Sequence, residues 1–268
     1  MAKTIAIANQ KGGVGKTTTC VNLAASLAAM KRQVLVIDLD PQGNATVGSG
    51  IEKTLTTTIN EVLLQEKDAV DVIVAAPAGF SLLPANHRLT IAEVRLLALP
   101  EREFRLKRVL QMLRNSYDFI LIDCPPTLNI LTVNALVAAD SALIPIQCEY
   151  FALEGLAGLL NSIDRLRQTV NSALTIEGLL RTMYDPRNRL TIEVSEQLMQ
   201  HFRDKVYRTA IPRNVRLAEA PSHGMPALLY DSRSQGAAAY LALAGELIQQ
   251  NTAKTEKIAE EDVVNEHE

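Results

Sequence analysis

The stretch Thr4-Ile5-Ala6-Ile7-Ala8-Asn9-Gln10-Lys11-Gly12-Gly13-Val14-Gly15-Lys16-Thr17-Thr18-Thr19 limits the folds open to this chain more than any other. An apolar strand runs into a glycine-rich turn, and hydroxyl residues open a helix behind it. Such a turn converges backbone N–H groups, and the helix N-terminus adds partial positive charge, so the segment makes a cradle for phosphate. Lys16 is placed to reach the β- and γ-phosphates, and the Thr17 hydroxyl to ligate Mg²⁺. Two positions depart from the pattern G-x-x-x-x-G-K-[ST]. Gln10 takes the place of the first glycine, and a second lysine, Lys11, stands at the front of the loop. A lysine so early is badly placed to fold back on its own phosphates, yet it can extend to a nucleotide held by another subunit. The loop therefore predicts an ATPase that works as a dimer.

Behind the loop, Val21, Leu23, Ala24, Leu27 and Ala28 recur at helical spacing between Thr17 and Met30. Gln33 to Asp38 is a short apolar run rich in β-branched residues, as a buried parallel strand is. It ends in Asp38-Leu39-Asp40-Pro41-Gln42-Gly43-Asn44, which is turn chemistry, and the three elements make a βαβ unit. Further strands are expected at Phe80–Leu83, Tyr117–Asp123, Ala142–Gln147, Leu174–Met183 and Val206–Ile211. Helices are expected at Thr58–Leu64, Leu89–Leu99, Glu101–Leu113, Leu128–Ala139, Glu154–Thr169, Ile192–Phe202 and Gly236–Gln250. This alternation predicts an α/β fold, a single doubly wound, mostly parallel sheet with helices on both faces. Residues 1–250 form the ATPase domain in this reading. Residues 251–268 are polar and acidic, and a disordered tail is expected there.

Charge and cysteine usage narrow the setting. The net charge is −3, but the segment from Lys254 to Glu268 sets two lysines against six acids, so the body alone carries about +1. No apolar run is long enough to span a bilayer, and the first strand begins too early for a signal peptide to precede it. Cys20, Cys124 and Cys148 are odd in number and widely spaced, which suits small buried hydrophobes in a reducing cytoplasm. His223 sits in a Pro/Ser/Gly turn with no His or Cys neighbour, and reads as a surface or hydrogen-bonding histidine.

A phosphate loop needs an acidic partner at the end of another strand, where parallel sheets place their sites. Asp123 ends the most apolar strand and is the expected Mg²⁺ ligand, directly or through water. Asp38 and Asp40 follow the second strand; one can assist the metal and the other can orient the attacking water. A carboxylate is too weak a base to deprotonate free water, so its value lies in alignment. Asp40 is the expected catalytic residue, because the Pro41–Asn44 loop beyond it can move with the nucleotide.

Lys11-Gly12-Gly13-Val14-Gly15-Lys16-Thr17-Thr18, with Asp38-Leu39-Asp40-Pro41-Gln42-Gly43-Asn44 and Asp123-Cys124-Pro125-Pro126, resembles the deviant Walker A ATPases, and within them the chromosomal ParA/Soj group. The likeness continues through Gln147-Cys148-Glu149-Tyr150-Phe151-Ala152-Leu153-Glu154-Gly155 and from Ile211 to Gly224, so it covers nearly the whole chain to about Gln250. The resemblance implies an ATP-sandwich homodimer with ATP and Mg²⁺ as cofactors. Lys11 would contact the opposite subunit's nucleotide, with Gly12 where a side chain would obstruct that approach. It further implies that Gly13, Val14, Gly15 and Thr18 join Lys16 and Thr17 around the phosphates, and that Pro212 and Asn214 meet the adenine. Arg187 and Arg216 match positions implicated in sequence-independent DNA binding. Cys124 departs from the threonine of many relatives, which changes local polarity without removing the site.

The implied function is DNA partitioning, chromosomal or plasmid. An ATP-bound dimer would hold double-stranded nucleoid DNA and be released when a ParB-like centromere-binding partner stimulates its weak hydrolysis. Arg181, Arg187, Arg189, Arg203, Lys205, Arg208, Arg213 and Arg216 concentrate in the last third, while aromatics are only 4% of the chain. That combination suits phosphate contact better than base stacking. The alternative is a MinD-like membrane-cycling regulator, which needs a basic amphipathic C-terminus where this chain is acidic. A third, a cluster-bridging electron-transfer enzyme, lacks its paired cysteines. The expected location is cytoplasmic and nucleoid-associated.

Overall fold

The computed structural model describes the backbone of residues 1–265 and side chains through residue 253. Seven strands form one sheet: β1 Lys3–Ile7, β2 Val34–Asp38, β3 Val74–Ala75, β4 Ser81–Leu83, β5 Phe119–Asp123, β6 Ser141–Gln147 and β7 Thr175–Thr182. Their order is β3-β4-β2-β5-β1-β6-β7. All neighbours pair in parallel except β3, which runs antiparallel to β4 at one edge. The central strands β2 and β5 are buried at every position, which is why they read as unbroken apolar runs rather than alternating ones.

Helices cover both faces. On one, α1 (Lys16–Ala29) packs against the long C-terminal helix through a core of Leu23, Leu27, Tyr240, Leu243 and Leu247. After β2 come the short α2 (Asn44–Gly48) and α3 (Ile59–Leu63). The opposite face carries α4 (Leu89–Leu96), α5 (Arg105–Leu113), α6 (Ile130–Ala138), α7 (Ala152–Thr169) and α8 (Arg189–Phe202) over a second core that includes Leu35, Ile37, Ile120 and Ile122. Two short helices, α9 (Val215–Glu219) and α10 (Ala227–Tyr230), lead into α11 (Gln235–Asn265). The doubly wound sheet expected from the alternation is the sheet observed.

Two expectations need correction. Val206–Ile211 is not a regular strand. It follows the β7 edge and meets it through a parallel bridge between Leu179 and Val206, with a second between Tyr184 and Pro212 just beyond. The Tyr207 and Ile211 N–H groups donate to the Leu179 and Arg181 carbonyls at 3.0 and 2.8 Å, and side chains take up backbone groups between them. Arg181 donates to the carbonyls of Tyr207 and Arg208, at 3.0 and 2.9 Å, and Glu246 accepts the N–H groups of Arg208 and Thr209. The second concerns the C-terminus. The helix expected to stop at Gln250 continues as helical backbone to Asn265, where disorder was expected from residue 251. No glycine or proline interrupts residues 251–265, and alanine, lysine and glutamate there favour helix. The end of the expected acidic tail, residues 266–268, lies outside the described residues.

Candidate functional site

The parallel sheet brings the charged turns together at the carboxyl ends of its central strands. Asp123 of β5 stands in register with Ile7 of β1 on one side and with Asp38 of β2 on the other. The turn after β1 is set by Asn9, whose amide donates to the Pro145 carbonyl at 2.7 Å while its oxygen accepts the Lys11 N–H at 3.0 Å. Gly13 and Gly15 then take left-handed backbone, with φ of 74° and 87°, which delivers the chain into α1. Val14 is buried, and its carbonyl accepts a 2.8 Å bond from the Thr182 hydroxyl at the end of β7, so the loop is tied to a second strand.

Lys16 is nearly buried, and its ammonium donates to the Lys11 carbonyl at 3.1 Å. Burial lowers its pKa; the nearby Asp123 carboxylate works in the other direction. Asp123 is fully buried, and neither of its oxygens has a hydrogen-bond partner among the described residues. Burial, then the Asp38 charge, pushes its pKa well above the carboxylate range; Thr17 lies near enough to favour the charged form but makes no hydrogen bond to it. Asp38 is pushed up to about 6 by burial, against the hydrogen bonds it accepts from Thr46.

An orphaned buried carboxylate facing a phosphate loop and a helix-opening hydroxyl fits a magnesium ion. That ion is commonly held by one or two protein oxygens, with phosphates and water as its other ligands. Among the described residues no cluster of three His, Cys, Asp or Glu side chains forms an all-protein metal cage.

A cavity of about 340 Å³ opens over this cluster, lined by Gly12, Gly13, Gly15, Lys16, Thr17, Thr18, Asp40, Gln42, Asn44, Pro126 and Met183. A second, of about 230 Å³, shares Gly15, Thr18 and Met183 with it and continues to Ile211, Pro212, Arg213, Asn214 and Leu217. The first is lined by glycines and by Lys16, Thr17, Thr18, Asp40, Gln42 and Asn44; the second is the more apolar of the two. Together they set a glycine-lined seat suited to phosphate beside a more apolar one.

Lys11 points away from its own loop. Its ammonium meets Glu149 at 2.6 Å, and both side chains stay about half exposed. Gly12 beside it has no left-handed backbone, and a Cβ built on it would meet nothing within 4 Å. Nothing within this chain requires glycine at that position. Past Glu149, Tyr150 and Phe151 make an exposed edge-to-face pair.

The AAA_31 family model, an AAA domain, matches residues 2–176. The sporulation initiation inhibitor protein Soj of Bacillus subtilis is 53% identical over 249 residues, 92% of this chain and 98% of its own length. The chain belongs to the ParA/Soj family. The chromosome partitioning protein ParA of Caulobacter vibrioides is 48% identical over 96% of this chain and 98% of its own. Among solved structures, a Mycobacterium smegmatis protein described as cobyrinic acid a,c-diamide synthase, with bound ATP analogue and magnesium, is similar at a TM-score of 0.84. It is 36% identical, covering 95% of this chain and 97% of that one. The cell division ATPase MinD of Pyrococcus furiosus gives 0.78 at 27% identity, over 93% of this chain and 100% of its own.

ParA/Soj membership puts the remaining expected residues in context. Gly12, Gly13, Gly15, Lys16, Thr17, Thr18 and Asp40 line the first cavity and Pro212 and Asn214 the second, whereas Lys11, Val14 and Asp123 line neither. Arg187 and Arg216 lie elsewhere. Arg187 is 88% exposed and fully paired with Asp185 at 2.8 Å, and Arg216 meets Glu219 at 2.8 Å and Asp231 at 3.2 Å. The exposed Arg203, Arg208 and Arg213 form no ion pair among the described residues. Sequence reasoning missed Thr182 and Met183, which end β7 at the site; the strand-end rule that found Asp123 applies equally to them. It also missed Glu149 as the Lys11 partner, for which no sequence signal exists. The three cysteines are free and buried, and His223 stacks on Tyr230 with ring centroids 4.9 Å apart.

Proposed function

We propose that this chain is a chromosome-partitioning ATPase whose ATP-bound dimer holds DNA and whose hydrolysis releases it. The observation that carries the reading is a fully buried, unpartnered Asp123 at the end of β5, close enough for its charge to act on Lys16, which with Thr17 lines the cavity over the glycine loop. The glycine-loop N–H groups and Lys16 bind the β- and γ-phosphates, and Pro212 and Asn214 border the base. Thr17 and Asp123 would hold Mg²⁺, which would supply charge neutralisation at the phosphates. Asp40 orients the attacking water in line, which is what a weakly basic carboxylate can contribute to phosphoryl transfer.

Dimerisation is supported by two independent features. Lys11 reaches outward rather than to its own loop, and Gly12 is a glycine that this chain alone does not need. A subunit approaching face to face would displace the Glu149 contact and bring Lys11 to the other nucleotide. The basic last third then offers DNA a surface doubled by dimerisation, which steepens affinity and salt dependence together. A ParB-like protein bound at a centromere-like site is the expected stimulator of hydrolysis. The names of relatives at 47–53% identity favour partitioning over the synthase activity in the 36% neighbour's description.

The test is ATP-dependent DNA binding by Lys16→Ala and Gly12→Val. Both variants are expected to lose ATP-dependent dimer formation and DNA retention. ATP-dependent retention at wild-type strength in both variants would refute the mechanism.

A further inference from the structure

We propose that Thr46 is a positioning residue for hydrolysis, its hydroxyl clamping the loop that carries Asp40 between Asp38 and Ala85. The inference rests on the reading of Asp40 as the water-orienting group. A carboxylate that acts by alignment is only as good as the backbone that holds it, and Asp40 sits on a turn rather than inside a strand.

That turn is pinned at both ends by one buried carboxylate. Asp38 accepts the Asp40 N–H at 3.2 Å through one oxygen. Through the other it accepts both the N–H and the hydroxyl of Thr46, at 2.8 and 2.7 Å. The Thr46 hydroxyl in turn accepts the Ala85 N–H at 2.9 Å, so it joins β2 to the segment leaving β4. Thr46, Asp38 and Ala85 are all buried, so none of these bonds exchanges freely with water.

The middle of the turn leans on the same wall. Gly43 is left-handed at φ 61°, its N–H bonds to the Asp40 carbonyl at 2.9 Å, and a Cβ there would stand 2.8 Å from the Ala85 oxygen. The wall is itself braced. Asn86 donates to the Leu55 carbonyl at 2.9 Å, and its oxygen accepts the Arg88 N–H at 3.0 Å. Asp40 is thus held from β2 and from the exit of β4, and Thr46 is the side chain that spans the two. Another buried hydroxyl, Thr19, bonds Tyr240 at 3.1 Å between two packed helices and has no such link to the catalytic turn.

Thr46→Val keeps the side-chain shape and removes the hydroxyl, leaving the Ala85 N–H unpaired and Asp38 one bond short. The experiment measures phosphate release at saturating Mg–ATP, KM for ATP, ADP affinity by a fluorescent analogue, and the thermal midpoint. Thr46→Val is expected to lower kcat by about 10- to 100-fold, the scale of a misplaced aligning group, while KM and ADP affinity stay near wild type. Thr46→Ser, which restores the hydroxyl, is expected to recover most of the rate. Gly43→Ala perturbs the same turn from its other side and is expected to give the same kcat-selective loss, which keeps the test open if Thr46→Val fails to fold.

A wild-type kcat in Thr46→Val overturns the proposal, as does a Thr46→Ser variant as slow as the valine one, or an ADP affinity that falls in step with kcat. Asp40→Ala separates the two levels. Wild-type hydrolysis there defeats the Asp40 reading itself, whereas lost hydrolysis there with normal hydrolysis in Thr46→Val defeats only the role of Thr46.

Discussion

At the carboxyl ends of β2 and β5, Asp123 is fully buried with neither oxygen partnered, and Asp38 beside it is held charged only against its burial. On the last third of the chain, Arg187 and Arg216 each rest against one or two acids at the surface. One region carries a charge deficit that a cation and polyphosphate would fill. The other carries its own counter-ions, which in the proposed function would yield to a stronger polyanion. The first is therefore a site for a specific ligand in fixed geometry, and the second a surface whose strength depends on salt. A molecule with both can let the first decide when the second is doubled by dimerisation.

Removing the deficit should have the largest effect. Asp123→Asn is expected to lower hydrolysis by about 10- to 100-fold through loss of metal affinity. The same change replaces an unpartnered carboxyl whose ionisation burial opposes with a neutral side chain of the same shape, so the nucleotide-free protein should melt about 2–4 °C higher, measured by calorimetry. Loss of both activity and stability would show that Asp123 is structurally satisfied. The neighbouring carboxylate gives a pH signature of the same strain. The Asp38 pKa rises from its ordinary 3.8 to about 6 on burial, so its favourable contribution is complete below about 4 and disappears as pH rises through 6. Thermal midpoints of wild type and Asp38→Asn, taken across that window without nucleotide, should shift in favour of the variant as pH rises.

The surface region should respond more mildly and in both directions. Arg187→Ala or Arg216→Ala is expected to weaken DNA binding severalfold and to reduce the slope of log affinity against log salt by about 2 per dimer. Asp185→Asn frees Arg187 from its internal counter-ion and should strengthen binding, an outcome a purely structural ion pair would not give. The smallest effect belongs to the Lys11–Glu149 contact. Both side chains are about half exposed, so the pair is weak, and Glu149→Gln should tighten ATP-dependent dimerisation by at most about fivefold in sedimentation.

The two regions also differed in how far they could be read from the chain. The phosphate loop, Asp123 and the parallel sheet were legible because each rests on local chemistry: glycines before a hydroxyl-opened helix, and apolar runs ending in aspartate. Asp40 was legible for the same reason. What holds Asp40 was not, because the Thr46–Ala85 bond spans 39 residues and joins positions with no shared pattern. The Val206–Ile211 segment looked like a strand by its β-branched ends, and nothing local announces that Arg181 and Glu246 take up its backbone groups. The helix beyond Gln250 was missed because low apolar content was weighed above helix propensity. Arg187 and Arg216 were legible as basic residues, and their acidic partners Glu219 and Asp185 lie only two or three positions away.

One measurement tests the link between the two regions most directly: retention of non-specific double-stranded DNA with ATP, ADP or no nucleotide, each across a salt series. The account predicts strong retention with ATP alone, falling steeply with salt, and little retention with ADP or without nucleotide. Equal retention in all three nucleotide states, with one common salt slope, would contradict it.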